Sequence, residues 1–183
     1  MKKLIIFAGI AMLSLSGCDK IKDATKKDIE VKDIKFKFEM ETTDGTTKAG
    51  TMIKTSGTES SIILAEQEVE IKAEDIEEYR DKVIDVLVGR ASVTAMLPDL
   101  PGEQHTVTNL KVEAMNLSQE IPPYTVGEAF NLNENMKIFL GKLCLKLMKQ
   151  KVLVKVTGEI DVPTGTKVTV SIDCDAVFTV KLL

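Results

Sequence analysis

From Val168 to Leu182 every second residue is apolar: Val168, Val170, Ile172, Cys174, Ala176, Phe178, Val180 and Leu182. The other parity holds Lys167, Thr169, Ser171, Asp173, Asp175, Thr179 and Lys181, with Val177 the sole exception. Side chains alternate across a strand, so this segment must lie with one face on a core and the other toward water. Such patterning belongs to antiparallel sheets with one wet face. At about 3.3 Å per residue the run would reach roughly 50 Å, which is long for a strand. A bulge or bend is therefore expected near Asp175-Ala176.

The rest of the chain supplies partners for that strand. Ile34, Phe36, Phe38 and Met40 alternate with Lys35, Lys37 and Glu39, and Asp44-Gly45 begins a turn. Gly50 and Gly57 separate short strand candidates around Met52 and from Ile62 to Ala65. The period then changes. Ile76, Tyr79, Val83 and Val86 recur every three to four residues behind an acidic start, which predicts a helix over 73–87. A helix stopping near Lys82, with strand from Val83 to Val88, fits the same residues. Strands over Ala91–Ala95 and Val107–Leu117 flank the turn at Pro98–Gly102. After Pro122-Pro123 come a second helix in NENMKIFLGKLCLKLMKQ, the strand VLVKVTGEI and the turn at Pro163–Gly165. Shifting the first half by 61 residues lays 73–87 over 134–148 and 91–95 over 152–156. The order reads as a degenerate repeat. The expected fold is mainly β with two helices: an antiparallel β-sandwich-like body built from two β-α-β-β halves, 33–119 and 120–183. With no Trp and two Tyr, its core must be aliphatic.

The beginning of the chain constrains location instead. Lys2 and Lys3 precede an apolar run from Leu4 to Leu15, followed by Ser16, Gly17 and Cys18, the anatomy of a secretory signal peptide over 1–17. The run is shorter than the roughly 20 residues of a membrane-spanning helix. Leu15-Ser16-Gly17-Cys18 resembles a bacterial lipobox. The resemblance implies that Cys18 carries a diacylglyceryl thioether and becomes the first residue of the mature protein, the lipid-attachment site. Residues 18–32, rich in Lys and Asp, read as a solvated tether. Removing residues 1–17 takes away two lysines and no acids, so the formal charge moves from −4 to −6. A mildly acidic chain without basic runs lacks the electrostatic footprint of a nucleic-acid binder.

The segment GKLCLKLMKQKVLVKVTGEIDVPTGTKVTVSIDCDAVFTVKLL, 141–183, resembles the ends of envelope lipoproteins from Bacteroidota-type Gram-negative bacteria. Those ends run from a leucine-rich helix through an alternating strand and a short turn to a long final strand. EIKAEDIEEYRDKV resembles the helical insert such proteins carry before a strand. The resemblance implies a β-sandwich-like fold and brings no activity or site residues with it.

Candidate sites are few. His105, the only histidine, sits in LPGEQHTVT near Asp99 and Glu103, without a ligand spacing, and reads as a solvated turn residue. Cys144 and Cys174 both fall on apolar faces and read as core residues. A disulfide between them would suit an exported protein, closing a loop of about 30 residues and contributing roughly 2–4 kcal/mol. Asp173 and Asp175 share the wet face of the last strand, where two carboxylates fall short of the six to eight oxygens of a calcium site. G-x-S-x-G, a Walker loop and H-E-x-x-H are all missing from the sequence. The expectation is therefore no catalytic residues, no metal site and no cofactor. The expected protein is a non-enzymatic lipoprotein, held through Cys18 in the cell envelope, most simply at the outer membrane on its periplasmic or surface face. It would serve as a binding or structural module for an envelope protein or glycan. The alternative is a carrier of lipid or another small apolar ligand, held between the leucine-rich helices and the sheet.

Overall fold

The computed structural model describes residues 25–43, 61–72, 74–100, 102 and 104–182. Cys18, the expected signal peptide, the first part of the tether, the turn at Asp44-Gly45 and the strand candidate around Met52 lie outside them. Among these residues, nine strands and two α-helical segments follow in chain order. They are β1 (Lys26–Glu41), β2 (Ser61–Val69), α1 (Glu74–Glu77), β3 (Val83–Met96), β4 (Thr106–Ala114), β5 (Leu117–Ile121), β6 (Tyr124–Thr125), β7 (Phe130–Asn131), α2 (Glu134–Lys149), β8 (Val152–Ile160) and β9 (Lys167–Lys181). One sheet has the order β1-β9-β3-β7, the other β2-β8-β4-β5 with β6 also on β4. Every pairing is antiparallel. The two sheets bury a largely aliphatic core that also takes in phenylalanines, with Phe38, Phe178, Ile63, Leu110, Val93 and Val107 at most 1% exposed.

β9 is the spine of the first sheet, flanked on one side by β1 and on the other by β3. Its even-numbered residues from Val168 to Val180 are buried throughout, as the alternation requires. Leu182 breaks the expectation: pairing ends at Lys181, and the side chain is 39% exposed. The expected bulge exists, but it lies in both neighbours. Opposite Asp175, β1 inserts an extra residue between Val31 and Ile34, and β3 does so between Val88 and Ala91. β8, central in the second sheet, is likewise unbroken, while β4 is bulged between Thr108 and Lys111, opposite Gly158. A side chain at Gly158 would press within 3.1–3.2 Å of Ile63 and Leu110, so the bulge closes onto a position that must stay small.

Two expectations need correction. The tether is shorter than 18–32, because Lys26–Val31 already pair with β9. Of the two readings of the stretch after Ala73, strand from Val83 is the one adopted, and helix does not persist over 73–87. α1 is one turn, a 3-10 turn follows at Arg80–Lys82, and β3 starts at Val83. Among the described residues α2 is thus the one substantial helix. Bulges explain the misleading spacing. β3 shifts register between Val83 and Asp85 and again after Val88, so its buried residues fall at 83, 86, 88 and 91. An interval of three inside a strand imitates helical periodicity.

α2 is a helix for ordinary reasons. Asn133 caps it, its Oδ1 accepting from the Met136 amide at 3.1 Å, and Lys146 and Lys149 sit in the last turn, where the helix dipole favours cations. It packs along β3 and reaches β5 of the other sheet, closing one side of the sandwich. Approach to β3 is close enough that a Cβ on Gly141 would lie 2.6 Å from the Val86 carbonyl oxygen. Only glycine fits there.

Candidate functional site

Among the described residues, three places gather the side chains capable of chemistry. The first is the wet face of β9 at the double bulge. Asp33, held at φ 54° by the bulge of β1, donates its amide to Asp175 Oδ1 at 3.0 Å. Arg90, brought in by the bulge of β3, donates from Nε to Asp175 Oδ2 at 3.0 Å and lies 3.4 Å from Asp33 Oδ1. The Asp33 amide and the Arg90 guanidinium hold the Asp175 carboxyl below the usual range, and Arg90 is itself pushed up by Asp175. Asp173, two residues along, pairs with Lys35 at 3.5 Å. Both carboxylates of the SIDCD motif are thus engaged by cations of the chain itself. The arrangement crosslinks three strands; it presents no free acid–base pair.

The second place is the inner face of the same strand. Cys174 is buried at the level of Ile34 and Ala91, its ladder partners, and Cys144 projects from the buried face of α2. The neighbouring Cys174 side chain and burial together push the Cys144 thiol up. A thiol so raised is a poor nucleophile. The two sequence-predicted cysteines are therefore brought together, both of them buried.

The third place is the turn region around His105. Its Nδ1 lies 3.1 Å from the Asp161 carbonyl oxygen and 3.5 Å from Asp161 Oδ1, and the side chain is only 12% exposed. Asp161 Oδ1 also accepts from the Thr106 amide at 2.8 Å. The expectation of a solvated turn histidine is corrected: His105 is held against the β8–β9 turn. Sequence reading passed over Asp33, Arg90 and Asp161. For the first two a signal was present, in the broken alternation at Lys32-Asp33 and Gly89-Arg90.

Open surface features are shallow. A groove of about 240 Å³ runs between β3 and α2, with Leu87 70% and Ile138 56% exposed along it. Another, of about 460 Å³, lies at the C-terminal half of α2 beside Leu117, Lys142, Lys146 and Lys149. Among the described residues, no cluster of three or more His, Cys, Asp or Glu is placed to hold a metal ion, and no helix is long and apolar enough to cross a membrane.

No protein-family model matches the chain, and no curated protein matches it. A solved structure from Desmodium yellow mottle tymovirus overlaps 86% of this chain and 90% of its own at 10% identity, with a TM-score of 0.31. A likeness that slight carries no argument about fold or function.

Proposed function

We propose that this chain is a bacterial lipoprotein, anchored through an acylated Cys18, whose sandwich is a non-enzymatic binding or structural module in the cell envelope. The single observation that supports the reading is the polarity of the sandwich. The chain enters at Lys26, paired with Lys181, and the C-terminal end of α2 lies at the same pole, where the Ile71 amide reaches the Leu147 carbonyl. The turns between β3 and β4 and between β8 and β9 sit at the opposite pole, where Met96 pairs Thr169 and Ile160 pairs Val107. Six residues separate Cys18 from Thr25, seven residue steps that span at most about 25 Å. An acyl group at Cys18 would hold the Lys26 pole near a bilayer and aim the opposite turns at a partner. Outer-membrane attachment, on either face, and an envelope protein or glycan partner complete the proposal. Residues 33–119 and 120–183 are read as two degenerate halves that exchange strands, since β1 and β3 alternate with β9 and β7 in one sheet.

The carrier alternative draws support only from the open groove between β3 and α2. The space beneath the helix is filled, with Leu140, Leu143, Cys144, Leu147 and Met148 at most 2% exposed. Photo-crosslinking in living cells tests the proposal. A crosslinking residue at Thr164, on the far turn, should capture a discrete envelope partner, whereas one at Lys149 should give none or lipid only. Equal capture from both positions, or a co-purifying stoichiometric apolar ligand, would refute the module reading.

A further inference from the structure

Three cysteines occur in the chain. If Cys18 is spent on a thioether, two remain, and those two come together at the centre of the fold. Cys144, at 0% exposure on α2, faces Cys174, at 1% exposure on β9. The contact depends on small neighbours. Ala91, the ladder partner of Cys174 on β3, accepts the Leu132 amide at 2.9 Å, just before α2 begins. Gly141, one turn before Cys144, lets the helix rest on the backbone of Val86.

We propose that Cys144 and Cys174 are a disulfide site, closed during folding in the oxidising envelope, that pins α2 across the edge of β3. The proposal rests on the exported reading above. β7 pairs only Ser92 and Val93 of β3, so Val83–Val88 depend on α2 for cover on that side. Exposed strand edges invite pairing with other chains, and a covalent tie keeps the cover in place. Disulfide exchange supplies the chemistry. The thiolate of one cysteine attacks a donor disulfide, protein or small molecule, and expels one donor thiolate. The second cysteine then attacks the mixed disulfide and releases the other, so two protein thiols are oxidised as one donor disulfide is reduced to two thiols. Burial in the finished fold blocks a donor from either sulfur, which places the step before the core closes.

Full-length protein recovered from a Gram-negative envelope, denatured in excess alkylating reagent, tests the site. Peptides carrying Cys144 and Cys174 should be unlabelled before reduction, joined and about 2 Da lighter than the two thiol peptides together, and labelled after it. Acylation of Cys18 is read in the same spectra. Acylated Cys18 with both core cysteines alkylated would overturn the disulfide and leave the anchor standing; unacylated Cys18 with both alkylated would remove both. Refolding the reduced protein with oxidised glutathione gives a second readout. Reductant should then lower the guanidinium midpoint of the wild type but leave Cys144→Ala/Cys174→Ala unchanged. Equal midpoints for the wild type with and without reductant would contradict a structural tie.

Discussion

The first sheet protects its two flanks by different means. On one flank α2 lies over β3, and the contact is apolar and close, with Leu140, Leu143 and Leu147 at most 2% exposed and Gly141 against the strand backbone. On the other flank β1 is studded with Lys26, Lys27, Lys32, Lys35 and Lys37 and is bent by the bulge at Asp33. Both devices stop a neighbouring chain from adding a strand, but only the first removes apolar surface from water. Stability should therefore reside in the α2 flank, and solubility in the β1 flank.

That division can be broken by mutation. The largest effect is expected from Leu147→Ala, which removes a fully buried side chain and should cost about 2–5 kcal/mol in denaturant unfolding. Gly141→Ala follows, at about 1–3 kcal/mol, because its methyl group meets the Val86 carbonyl and the helix must shift. Asp175→Asn should lower the midpoint by less than either, since its partners are exposed to solvent. It also has a pH signature. Asp175 has a lowered folded pKa, so its contribution is fully present above the unfolded carboxyl value of about 3.9 and is lost as pH falls through the folded value. Acid unfolding curves of wild type and Asp175→Asn should converge at the acid end; a constant gap down to the lowest pH would contradict the ion-pair account. Smallest of all, Lys35→Val with Lys37→Val should leave the midpoint unmoved and raise self-association by light scattering. A stability loss from that pair matching Leu147→Ala would erase the distinction between the flanks.

Unbroken strands were readable in the chain, and bulged ones only in part. β9 and β8 carry one parity from end to end, so composition and alternation alone place their inward faces. β1 changes phase between Val31 and Ile34, which hid Ile29 and Val31 inside what looks like a tether. β3 changes phase twice, and its intervals fit a helix as well as the strand that 83–88 adopt. Laid over 134–148 by the 61-residue offset, Val83–Leu87 set strand against helix. The cysteine pair was legible because each residue falls on an apolar face of its own element. The Asp33–Arg90–Asp175 clamp was not, since it depends on two bulges meeting across β9, a tertiary coincidence no local window contains.

The account turns on how the polypeptide is held, and the mass of its first mature peptide tests that most directly. Protein from envelope membranes should yield a peptide beginning at Cys18 and bearing a thioether-linked diacylglyceryl group, with residues 1–17 gone. A peptide running through residues 1–17 into an unmodified Cys18 thiol would contradict it.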